Sequence, residues 1–146
     1  MAMAKEKKPE ENIFLSKESM DWFGGWMSGG LSITNLPRDI EKELKQYRPI
    51  GKGTLTLYRG LQPSDVLETK EGDLYITFNF LSSWTYDREM AFNFSDKVIK
   101  TTIEYSSILI DTTQLDPKYI RRQLGGFPDE KEVILYSGIY KCKNYH

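Results

Sequence analysis

Polar and apolar positions change period about a third of the way along the chain. Residues 1–14 are largely polar and charged and read as a flexible N-terminal tail. Ser16 is placed to cap a helix from Lys17 to Met27, with Met20, Phe23 and Met27 on one face. The glycine pairs Gly24-Gly25 and Gly29-Gly30 are expected to break or end it. A second helix is expected behind Pro37, where Ile40, Leu44 and Tyr47 repeat at helical spacing before Pro49, Gly51 and Gly53 close it off. From Thr54 onward the alternation is that of strands. Leu55 and Leu57 alternate with polar neighbours up to Arg59, and apolar or β-branched runs follow at Leu74–Leu81, Val98–Tyr105, Ser107–Asp111, Val133–Tyr136 and Ile139–Lys143. A short helix is expected over Asp87–Phe94, and a loop over Gly125–Asp129. Helices first and strands afterward point to an α+β domain with antiparallel or mixed pairing.

Length and composition narrow the chemistry. The 146 residues amount to one domain, and 20 basic against 21 acidic side chains give a net charge of -1. That balance disfavours nucleic acid as a partner, since such binders carry a strongly basic field. No apolar run reaches the roughly 20 residues of a membrane span, and no secretory signal opens the chain, so a cytoplasmic protein without a membrane partner is expected. Cys142 and His146 are single representatives of their types. An intrachain disulfide, a structural zinc site and a histidine held by an orienting carboxylate are all expected to be absent. No dinucleotide fingerprint or phosphate loop appears either. Any chemistry must therefore use carboxylates, arginines, hydroxyls and backbone groups. Aromatic residues, 13% of the chain, serve either the core or a stacking pocket.

Three segments stand out. Leu57-Tyr58-Arg59-Gly60 ends a strand in an arginine beside a glycine, which alone could be a surface charge. Phe80-Leu81-Ser82-Ser83-Trp84-Thr85 clusters hydroxyls where a strand gives way to a helix, which alone could be capping. Pro128-Asp129-Glu130-Lys131-Glu132-Val133-Ile134-Leu135 sets two glutamates two apart at a loop-to-strand junction; if extended, both point to one side.

In this order the three segments resemble the Arg, Ser-Thr-Ser and Glu-x-Glu motifs of the mono-ADP-ribosyltransferases, the branch that includes arginine-modifying bacterial toxins, vertebrate ecto-enzymes and phage enzymes. The resemblance covers about residues 54–136. It implies a single catalytic domain over 15–146, with N-terminal helices followed by two packed, mostly antiparallel sheets around an NAD cleft. It also implies NAD as ADP-ribose donor, a protein target and no metal. Residue by residue, it makes Arg59 the NAD-holding arginine and Gly60 the backbone grip on the nicotinamide carboxamide. Ser82 becomes the hydroxyl that orients the catalytic glutamate, and Ser83 a structural strand position. Glu132 becomes the catalytic glutamate, and Glu130 the residue engaging an acceptor guanidinium. Phe127 falls in the substrate-recognition loop. Trp84, Phe80 and Phe94 are candidates for the flat walls of the nicotinamide site. Trp84 departs from the pattern, standing where the third hydroxyl would be. The short length fits a toxin-like or phage-borne effector.

Breaking the nicotinamide–ribose bond leaves an oxocarbenium-like sugar that a carboxylate must stabilise. The leaving group departs as neutral nicotinamide from a cationic precursor, so no acid, and hence no histidine, is required. Other readings keep the fold and change the acceptor to nucleic acid or an Asn, Asp or Glu side chain, or make the chain mainly an NAD glycohydrolase. A non-catalytic NAD- or protein-binding module, or a small α+β domain whose motifs coincide, are the readings from other classes.

Overall fold

The structure, a computed structural model, describes residues 15–27, 35–117 and 130–145. The expected tail over 1–14, Gly29-Gly30, the loop 125–129 with Phe127, and His146 lie outside the described residues.

The first helix, α1 (Lys17–Met27), begins where expected, with the Ser16 hydroxyl accepting the Ser19 backbone N–H at 3.3 Å. It runs through Gly24-Gly25 rather than breaking there. Phe23, wholly buried, and Trp26, stacked on it at 6.3 Å, hold that turn in place. Their packing offsets glycine's cost of about 1 kcal/mol per helical position. The second helix, α2 (Arg38–Leu44), follows Pro37, and Tyr47 falls in a one-turn 3-10 extension, Lys45–Tyr47. Glu43 ties the helices together: it accepts from the Ser16 N–H, the Ser16 hydroxyl and the Ser19 hydroxyl, each at 2.6 Å. Burial pushes the Glu43 carboxyl up, but these hydrogen bonds outweigh it and hold the group below the ordinary carboxylate range.

Eight strands follow: β1 (Thr54–Gly60), β2 (Leu67–Lys70), β3 (Asp73–Phe78), β4 (Ser82–Thr85), β5 (Val98–Glu104), β6 (Ile108–Asp111), β7 (Glu132–Leu135) and β8 (Gly138–Tyr145). A short helix, α3 (Arg88–Phe92), links β4 to β5, capped by the Asp87 carboxylate on the Glu89 and Met90 N–H groups. Strands β2 and β4 were not evident from alternation, being short and polar.

Pairing is antiparallel throughout, in the order β2-β3-β8-β5-β1-β4-β7-β6. The expected pair of separate sheets is therefore one eight-stranded sheet. It nearly divides, because β1 and β5 pair along seven residues whereas β1 meets β4 only at Tyr58–Thr85. On either side of that joint the sheet forms a five-stranded and a three-stranded wing. Leu57, Ile76, Ile99 and Cys142 of the first share one core with Trp84, Val133 and Leu135 of the second. The helices cover the other side of the three-stranded wing, where Phe23 and Leu44 pack on Leu109, Ile110 and Ile134. A register shift between Ile108 and Ile110 turns two consecutive residues toward the helices. Cys142 is buried, which raises its thiol to about 11 and keeps it neutral.

Candidate active site

The joint between the wings opens a cavity of about 390 Å³. Its wall includes Arg59, Gly60, Ser83, Thr85, Glu130 and Glu132, so residues from all three sequence segments meet in one place.

Arg59 enters from the end of β1. Its Nε and Nη2 donate to the two Asp65 carboxylate oxygens at 3.0 Å each, and its Nη1 donates to the Ser83 carbonyl at 2.7 Å. The guanidinium carbon lies 4.8 Å from the centre of the Phe78 ring. The forked edge suited to a phosphate is thus already occupied by a carboxylate. Gly60 follows because nothing larger fits. A Cβ there would lie 2.4 Å from the Ala91 carbonyl oxygen of α3, a backbone atom that cannot swing away.

Strand β4 alternates its side chains between the core and the cavity. Ser82 and Trp84 face inward at 3% and 2% exposure, with the Trp84 indole N–H donating to the Ser82 hydroxyl at 2.9 Å. Ser83 and Thr85 take the other face. The Ser83 hydroxyl donates to the Glu132 carboxylate at 2.5 Å. The hydrogen bond expected of Ser82 is therefore made by Ser83, because pleating turns successive residues to opposite faces. Trp84 is likewise a buried side chain, meeting Phe78 and Tyr140 edge-on at 6.1 and 6.2 Å, although it also borders the cavity. Phe94, half exposed, does line the cavity, whereas Phe80 lines neither it nor the adjoining cavity.

The acidic pair converges by a different route from the one expected. Only Glu132 belongs to β7; Glu130 precedes it in a turn, and Lys131 between them is left-handed at φ 48°. A left-handed non-glycine residue costs about 1–2 kcal/mol. The turn is held by the Thr85 hydroxyl, which donates to the Glu130 carbonyl at 2.6 Å. On the far side, the Thr112 hydroxyl donates to the Glu132 carbonyl at 2.7 Å. Burial, then the neighbouring Glu132 charge and a hydrogen bond between the two side chains, raise the Glu130 carboxyl to about 6.

Sequence reasoning missed several wall residues: Met27, at the end of α1, and Tyr58, Gln62 and Ala91. It also missed Asp65, in a polar turn where a carboxylate gives no sign of an ion pair with Arg59. Among the described residues no cluster of His, Cys, Asp and Glu could hold a metal ion, and no helix is long and apolar enough to cross a membrane.

An arginine, a serine and a glutamate pair thus meet around one cavity of an α+β domain. The family model for dinitrogenase reductase ADP-ribosyltransferase matches residues 40–144, and the chain belongs to that family. The match begins inside α2 and ends inside β8, taking in the described elements between them. No curated protein and no solved structure matches the chain. The family name does not support the toxin-like or phage-borne setting expected from the sequence.

Proposed function

We propose that the chain is an NAD-dependent mono-ADP-ribosyltransferase that transfers ADP-ribose to an arginine side chain of a protein and releases nicotinamide. Family membership supports the reaction class. The observation that carries the finer reading is the Ser83–Glu132 hydrogen bond in a cavity shared with Gly60 and Glu130.

In this reading NAD supplies the ribosyl group. Glu132 accepts the ribose 2'-hydroxyl and stabilises the positive charge that develops as nicotinamide leaves. Ser83 holds that carboxylate in one rotamer, because a charge-assisted hydrogen bond fixes the acceptor's direction. The Gly60 backbone holds the nicotinamide amide, and Phe94 supplies an apolar wall. Arg59 keeps β4 in place. Glu130, beside Glu132, orients the acceptor guanidinium and takes its proton as the new C–N bond forms. A carboxyl near 6 is matched to that task at neutral pH, since it is ionised yet basic enough to take a proton. Ser82 supports the site from the core through Trp84. The matched family is named for dinitrogenase reductase, which makes that class of protein the first acceptor to try.

The test is transfer of labelled ADP-ribose to an arginine-containing protein. Glu132→Gln should lower nicotinamide release and transfer together by about 100-fold or more, the worth of an electrostatic transition-state stabiliser. Glu130→Gln should remove arginine transfer and leave most of the NAD hydrolysis. Wild-type rates in the Glu132 variant would refute the assignment of the catalytic residue. Equal loss of both activities in the Glu130 variant would refute the division of labour.

A further inference from the structure

We propose that Asp65 is a positioning residue for this reaction, setting Glu132 through Arg59 and Ser83. The inference rests on the function proposed above and adds a residue outside the reaction cavity to it.

Four residues form a continuous chain. The Asp65 carboxylate takes Arg59 Nε and Nη2 at 3.0 Å each, Arg59 Nη1 reaches the Ser83 carbonyl at 2.7 Å, and the Ser83 hydroxyl reaches Glu132 at 2.5 Å. Asp65 and Arg59 are 5% and 16% exposed, so water does little to screen the pair. Asp65 is itself anchored. It accepts from the Gln62 backbone N–H at 2.9 Å, and its own N–H donates to the Gln62 carbonyl at 2.9 Å. The loop between β1 and β2 is thereby closed around the carboxylate.

This chain sits where the sheet would otherwise come apart. The β1–β4 ladder consists of the Tyr58–Thr85 pair, and the next residue of β1, Arg59, borders the cavity together with Ser83. The guanidinium takes the place of a ladder bond by holding the Ser83 carbonyl. A guanidinium on a flexible stem has many rotamers. Bidentate contact with a fixed carboxylate on one edge, with Phe78 under its face, leaves Nη1 a single direction. Asp65 lines the neighbouring cavity rather than the one containing Glu132, and the hydrogen bonds that link it to Glu132 run through Arg59 and Ser83.

Asp65→Asn removes the charge and nearly preserves the shape. In the full chain it should lower kcat for nicotinamide release about 10- to 100-fold, the cost of a small misplacement of a reacting group. The KM for NAD should change less than about 3-fold, because no contact with NAD is removed. On a Ser83→Ala background the same substitution should cost less than about 3-fold more, since the contact it acts through is already gone. Asp65→Glu keeps the charge on a longer stem and should lose kcat to an intermediate extent, which guards against an Asn variant that fails to fold. A readout without turnover is the carboxyl carbon-13 resonance of Glu132, which should shift in either folded Asp65 variant. A wild-type chain that releases no nicotinamide would defeat the proposed function, and that resonance would still decide the role of Asp65. Unchanged kcat, a raised KM with kcat kept, additive losses with Ser83→Ala, or an unmoved Glu132 resonance would each overturn the inference.

Discussion

The site has two charged ends with opposite electrostatics, joined through Ser83. At one, Arg59 and Asp65 meet as opposite charges in two 3.0 Å hydrogen bonds. At the other, Glu130 and Glu132 meet as like charges, the proton on Glu130 is held to about 6, and the residue between them is left-handed. The first end is internally satisfied and rigid, so it suits holding a strand in place. The second is held in an unfavourable arrangement by its surroundings, through Ser83, Thr85 and Thr112. Unfavourable contacts of this kind concentrate where a substrate completes them. Under the proposed function, a cationic nicotinamide ribosyl group and an acceptor guanidinium would be the partners that complete the two adjacent carboxylates.

The comparison breaks most sharply at the acidic end. Glu132→Gln should cost about 100-fold or more in nicotinamide release while thermal unfolding remains cooperative. Glu130→Gln should lower arginine transfer about 10²- to 10⁴-fold, the range of a general base, with hydrolysis falling less than about 10-fold. The same variant sharpens the electrostatic argument. The folded Glu130 keeps its proton to about 6 against an ordinary 4.5, so the folded chain binds more protons between those values. Its contribution to stability is present below the unfolded value and is lost as pH rises through about 6. Glu130→Gln should therefore melt higher than wild type above pH 6, by about 1–3 °C, with the difference vanishing in acid. A calorimetric pH series checks the sign.

The adjacent serines extend the comparison to the two faces of one strand. Ser83→Ala should lower kcat about 10- to 100-fold with little change in melting, because it releases the Glu132 carboxylate. Ser82→Ala should do the reverse. Leaving the buried Trp84 indole N–H without its acceptor costs about 1–3 kcal/mol of stability and touches nothing in the cavity. Paired kinetics and denaturation of the two variants separate these outcomes. Gly60→Ala should destabilise by about 1–3 kcal/mol as α3 is pushed from β1, and a denaturant titration reads it directly.

Much of this was legible in the sequence. Alternation located β1, and runs of apolar and β-branched residues located β5, β6, β7 and β8, to within a few residues. Arg59, Ser83, Glu130 and Glu132 were candidates from motif order before their contacts were known. The division between Ser82 and Ser83 was not legible, since it depends on which face of β4 meets the core, and a four-residue polar strand has no alternation to show it. The Arg59–Asp65 pair was also hidden, because partners across a loop leave no periodic trace. The run of apolar residues in the three-stranded wing reads equally well as part of a separate sheet; only the Tyr58–Thr85 bridge makes the sheet continuous.

The most direct test is release of nicotinamide from NAD by the purified full chain, wild type against Glu132→Gln, with both shown to be folded by the same melting experiment. The expected result is measurable release by the wild type and at least about 100-fold less by the variant. Equal rates for the two folded proteins would contradict the placement of catalysis at Glu132.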